Sequence, residues 1–171
     1  KILKFAEMGD NSCYNFCKGQ LPPLAPHHWC GDEFEINTVD KQCYKVASLA
    51  TDFVSAQKNC QKMKAELASI HSAQLNTFVH QLALSNGATN GLFVGATTGN
   101  ESNIDWLDGS PFDYDNSYPG YPIYDQGDCL VMDTFGSAGQ WINGDCSSKL
   151  PYVLFMREYL QLKKNKKKLC I

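Results

Sequence analysis

The hydrophobic positions change period several times along the chain, and each change marks an element. Gln42 to Val46 reads as a strand with one buried face. From Asp52 to Met63 the period lengthens. Phe53, Ala56, Cys60 and Met63 recur at spacings of three and four, which places them on one side of an amphipathic helix. Glu66 to Ile70 reads as a strand again. Ser72 then has the residue type of a helix N-cap, and Leu75, Phe78, Val79 and Leu82 form the apolar stripe of a second helix that stops at Asn86-Gly87. After Leu92 only short strands follow: Leu92–Gly95, Ile104–Leu107, Cys129–Met132, Gln140–Ile142 and Pro151–Val153.

Asp108 to Asp128 has no helical or strand period and is rich in Gly, Pro, Asp and Tyr. Loops of that length inside a compact domain usually carry function. Residues 1–29 hold Cys13, Cys17 and the prolines 22, 23 and 26, which forbid a regular helix, so this stretch reads as a leader or linker. Residues 154–171 read as a basic tail, disordered or not native to the domain. The body is therefore expected at 30–153, in a chain of 171 residues that suits one domain with appendages.

Charge is divided unevenly. The formal net charge is −3, but the six basic residues beyond Val153 outweigh Glu158 by five, which leaves −8 before them. A body that acidic argues against nucleic acid as a partner. No apolar run approaches the roughly 20 residues of a membrane span. Eight cysteines favour an oxidising compartment, so a secreted, extracellular protein is expected. Asn100-Glu101-Ser102 is a glycosylation sequon. The sequence contains no nucleophile elbow, paired-histidine zinc motif or phosphate-cradling loop, so enzymatic activity is not expected.

Several local motifs then occur in order. Cys30 and Cys43 flank the first strand, and Ala56-Gln57-Lys58-Asn59-Cys60 precedes Glu66-Leu67-Ala68-Ser69-Ile70. Phe93-Val94-Gly95 follows, then Trp106-Leu107-Asp108-Gly109-Ser110, Gly127-Asp128-Cys129, and Trp141 five residues before Cys146. From about Cys30 to Val153 this series resembles the C-type lectin-like domain family, of the secreted, nematode-like type. The resemblance implies an α+β fold of two helices on small antiparallel sheets, with the long loop as the ligand face. It also implies disulfides from Cys30 to Cys43 and from Cys129 to Cys146. For Cys60 it implies a partner directly after the last strand, where this chain has Tyr152-Val153-Leu154. Cys170 is one alternative, and Cys13 and Cys17 are others.

Sugar-binding members of that family hold calcium in the long loop with carboxylate and amide oxygens, and calcium needs six to eight such donors. The resemblance aligns those ligand positions with Tyr121-Pro122-Ile123, Gly127 and Trp141-Ile142-Asn143, where most of the oxygens are missing. No cofactor is therefore expected at the family site, with Asp113 and Asp115 as weak candidates for a calcium ion elsewhere in the loop. The candidate ligand-binding residues are Tyr114, Tyr118, Tyr121, Pro122, Tyr124, Asp128 and Asn143. Tyrosine buries area at low entropy cost while presenting a hydroxyl, which suits stacking on sugars and docking on proteins alike. The expected function is binding of a glycan or glycoprotein without the family's calcium; the alternative is a protein-protein interaction module with no sugar binding.

Overall fold

The computed structural model describes Cys30 and residues 33–99, 103–123, 125–135 and 138–156. In chain order these form β1 (Glu35–Ile36), β2 (Cys43–Thr51), α1 (Phe53–Lys62), β3 (Glu66–Leu67) and α2 (Ala73–Ser85). They continue as β4 (Leu92–Thr98), β5 (Ile104–Trp106), β6 (Cys129–Met132), β7 (Trp141–Gly144) and β8 (Leu150–Met156). Cys13, Cys17, Asn100, Tyr124 and Cys170 lie outside the described residues, as do the proposed leader and the chain beyond Met156.

The helices start where their side chains can cap them. Asp52 accepts the Ser55 N–H at 2.9 Å and Ser72 accepts that of Leu75 at 3.2 Å, so each satisfies an amide that the first turn leaves open. Lys149, 2.7 Å from Asp52, together with the Ser55 hydrogen bonds, holds the Asp52 carboxyl well below the usual range. Phe53, Ala56 and Cys60 are buried, as the helical spacing predicts. Met63 is not: α1 ends at Lys62, Met63 is its C-cap, and the left-handed Lys64 (φ +58°) turns the chain away. Side-chain periodicity does not register that reversal.

The strands join in the order β1-β2-β8-β4-β6-β7, with β3 also paired to β8 and β5 to β4. This is the expected α+β arrangement with one refinement. The small antiparallel groups are linked into a single sheet by a parallel bridge between Phe93 of β4 and Tyr152 of β8. Strand β2 runs five residues beyond Val46, past an irregularity, to pair Thr51 with Leu150. Strand β8 likewise continues past the expected domain boundary at Val153. Leu154 and Phe155 are buried and pair with Lys45 and Tyr44, so the folded body reaches Met156. Apolar side chains paired in a central strand are core, whatever the composition of the chain that follows.

Two apolar clusters lie on the sheet. One sits beneath α2 and includes Tyr44, Val79, Leu92, Trp106, Trp141 and Phe155. The other sits beneath α1 and includes Phe53, Cys60, Leu67, Phe93, Cys129 and Leu154. Cys60 is fully buried there and has no disulfide among the described residues. Burial, with a smaller contribution from Glu66, pushes its thiol up to about 12. Cys30 is bonded to Cys43 and Cys129 to Cys146, across 13 and 17 residues of chain. In the chain-entropy account rings of that size contribute about 3 kcal/mol each. The second bond joins the start of β6 to the end of β7, at the base of the long loop.

Candidate functional site

The long loop leaves β5 at Leu107 and enters β6 at Cys129, and its two halves are attached by different chemistry. The first half is held by rings. Trp141, with no exposed surface, meets Trp106 and Tyr114 edge to face, each at a centroid distance of 5.6 Å, and Phe112 at 6.3 Å. The Trp141 indole N–H donates to Asn76 Oδ1 of α2 at 2.9 Å, which ties the cluster to the helix. Polar side chains add to the attachment. Ser69 donates to Asp108 at 2.8 Å, His71 Nδ1 lies 2.6 Å from Asp113, and Asp115 accepts the Ser117 N–H at 2.8 Å. Main-chain bonds from Trp141 to Asn116 and from Tyr118 to Trp141, each 2.9 Å, then lay the loop beside β7.

The second half has one side-chain amide at its centre, and Thr98 of β4 secures its end by donating its N–H to the Asp128 carbonyl at 2.8 Å. Tyr118-Pro119-Gly120-Tyr121 makes a turn with a 2.9 Å bond from the Tyr121 N–H to the Tyr118 carbonyl. Gly120 at φ +89° and proline before it are the residues a type II turn requires. The Tyr121–Pro122 peptide is cis. Asn143 of β7, 4% exposed, then takes hold of the chain that follows. Its Oδ1 accepts the Ile123 N–H at 2.8 Å, and its Nδ2 donates to the Ile123 and Gly127 carbonyls at 2.8 and 2.7 Å. Gly127 is pressed against β7 at φ +107°. A Cβ there would lie 2.3 Å from the Gly144 carbonyl oxygen, well inside contact distance with backbone that cannot yield.

A family model described as the Lectin C-type domain matches residues 50–153. The chain belongs to the C-type lectin domain family. It is 29% identical over 119 residues to snaclec agglucetin subunit alpha-1 of Deinagkistrodon acutus, covering 67% of this chain and 75% of that protein. To the human low affinity immunoglobulin epsilon Fc receptor it is 32% identical over 118 residues, covering 64% of this chain but only 33% of the receptor. Among solved structures it is similar to the cow C-type carbohydrate-recognition domain of CD23 in the presence of GlcNAc2Man3 oligosaccharide. The TM-score is 0.64 at 27% identity, with 74% of this chain and 94% of that chain covered.

The calcium position of the C-type lectin domain can be tested against these donors. Tyr121 and Ile123 bring no carboxylate, Gly127 brings no side chain, and the Asn143 oxygen already accepts an amide proton. The Ile123 and Gly127 carbonyls are themselves acceptors from Asn143. A cage of six to eight oxygens does not fit this set. Elsewhere in the loop, Asp113 is engaged by His71 and Asp115 by Ser117, and among the described residues no cluster of three or more His, Cys, Asp or Glu is placed for a metal.

The lectin loop divides the remaining candidates. Tyr114 packs on Trp141 against the core, and burial, then the Asp115 charge, raises its phenol above the ordinary range. Asn143 is an internal clamp whose side chain bonds to the loop backbone, while Tyr114 stays partly exposed beside the ring cluster. Tyr118 and Tyr121 meet edge to face at 6.4 Å on the surface, and Asp128 is exposed. The exposed Leu107 and Phe112 join the same loop surface, and sequence reasoning passed over both. Nothing in the sequence pointed to His71 or Asn76 either, because their partners are 42 and 65 residues away.

Proposed function

We propose that this C-type lectin domain is an extracellular recognition module whose long loop binds a glycan or glycoprotein without calcium chelation. The observation that carries the reading is the Asn143 amide. Every bond of its side chain runs to the loop backbone, so it braces the face, and with Tyr121, Ile123 and Gly127 beside it no carboxylate stands at the aligned positions to hold an ion. The Tyr118–Tyr121 pair and Asp128 supply ring faces and acceptors of the kind a saccharide uses. The two disulfides support an oxidising, extracellular setting. The test is a glycan array probed with the full chain in calcium and again in EDTA. The same set of glycans should be retained in both; binding that vanishes in EDTA overturns the reading.

A second reading, a protein-protein interaction module with no sugar binding, is favoured by the exposed Leu107, Phe112 and Tyr118, 37–39% accessible around the loop. Apolar surface of that kind suits a protein partner better than a saccharide. An array that retains no glycan in either buffer would favour it.

A further inference from the structure

A cavity of about 330 Å³ lies away from the Pro122 end of the loop, between the β1–β2 hairpin and the N-terminus of α2. We propose that it is a second binding site, and that it takes one uncharged, polyhydroxylated ring such as a sugar residue. Ligand pockets run from about 300 to 1,000 Å³, so this one suits a single ring.

Its walls specify that chemistry. Asn37 is 4% exposed and lines the cavity. Its Oδ1 accepts the Val39 and Asp40 N–H groups at 2.9 and 3.2 Å, which fixes the orientation of the amide. The Nδ2 end has no hydrogen-bond partner among the described residues, and the residue that carries it lines the cavity. An amide whose orientation is fixed in this way can offer that donor to an acceptor the protein itself does not supply. Asp40 offers the complementary function. It is held rigid by the Gln42 N–H at 2.9 Å and the Tyr44 hydroxyl at 2.7 Å, and a carboxylate retains lone pairs beyond those two bonds. The Gln42 carboxamide and Ser72 add donors and acceptors at the rim, and Leu75 forms an apolar side.

The lining holds a carboxylate but neither lysine nor arginine, which disfavours an anionic ligand. A ligand must instead accept from Asn37, donate to Asp40 and lay a carbon face on Leu75. Ring hydroxyls both donate and accept, so one sugar residue meets all three demands. His71 forms part of the wall and reaches Asp113, which joins this site to the first half of the long loop.

The experiment is an amide-resolved NMR titration of the full chain in EDTA with the methyl glycosides of glucose, galactose, mannose and N-acetylglucosamine at millimolar concentration. At least one should shift the amides of Asn37–Gln42 and Ser72–Leu75. Asn37→Asp keeps the acceptor for the hairpin and removes the donor, and should weaken that binding about tenfold. Gln42→Ala, whose side chain makes no hydrogen bond in the described fold, is the second variant should the hairpin not tolerate the first. The proposal is overturned if no glycoside shifts these amides, or if a folded variant binds as the parent does. Shifts confined to residues 114–128 would also overturn it while leaving the proposed role of the loop standing; shifts confined to the cavity would do the reverse.

Discussion

The two halves of the long loop differ in what a single substitution can remove. Between Asp108 and Ser117 the attachment is distributed over Trp106, Phe112, Tyr114 and Trp141 and two acidic side chains, Asp108 and Asp113. Between Tyr118 and Asp128 main-chain bonds from Tyr118 to Trp141 and from Thr98 to Asp128 fix the two ends, and between them the side-chain bonds converge on Asn143. Distributed packing ties Tyr114 to the core through Trp141, while Asp113 is engaged by His71 at the surface. A clamp on the inner side leaves the outer surface of its segment uncommitted, and that is where the exposed Tyr118 and the half-buried Tyr121 lie.

The substitution that should break this contrast most severely is Trp141→Ala. It empties the ring cluster and strands the Asn76 acceptor, at a cost of about 3–5 kcal/mol in urea unfolding. A loss below about 1 kcal/mol would show that the rings do not anchor the first half. Asn143→Ala should cost less, about 2 kcal/mol, because it leaves the Ile123 N–H and carbonyl without partners and weakens the hold on the Gly127 carbonyl but opens little volume. Its signature is local: hydrogen exchange at the Ile123 amide should accelerate while the Trp141 amide stays protected. Acceleration at both would mean the halves are one unit.

The smallest effect sharpens the contrast by pH. The folded state raises the Tyr114 phenol, so that contribution is whole below about pH 10 and is lost as the pH climbs past the unfolded value toward the folded one. Tyr114→Phe should therefore flatten the alkaline limb of a stability profile measured by thermal melting. A limb unchanged in slope would place the residue outside the cluster.

Much of the scaffold was legible because its signals are local. Ser72 and the spacing of Leu75, Val79 and Leu82 announce α2, and the cysteine pairs that the resemblance implied are the pairs the structure contains. The failures concern information that is not local. Met63 fits the helical period but follows the point where the backbone reverses, and Leu154 and Phe155 belong to β8 because β2 lies beside them. In the loop, residue type was visible and direction was not. Asn143 has the oxygen of a ligand and uses it as a brace, and Tyr114 has the ring of a ligand platform and turns it onto Trp141. The Asn37 cavity had no trace in the sequence, since its walls come from three separate segments, the β1–β2 hairpin, the start of α2 and Phe155 of β8.

The close seat of Gly127 on Gly144 limits what this bend can display. Any side chain at 127 would drive its Cβ into the Gly144 carbonyl, so the main chain would have to lift off β7 and abandon a conformation open to glycine before the position could present a functional group. The chemistry of this edge is therefore written by its neighbours, such as the exposed Asp128, and not by the bend itself.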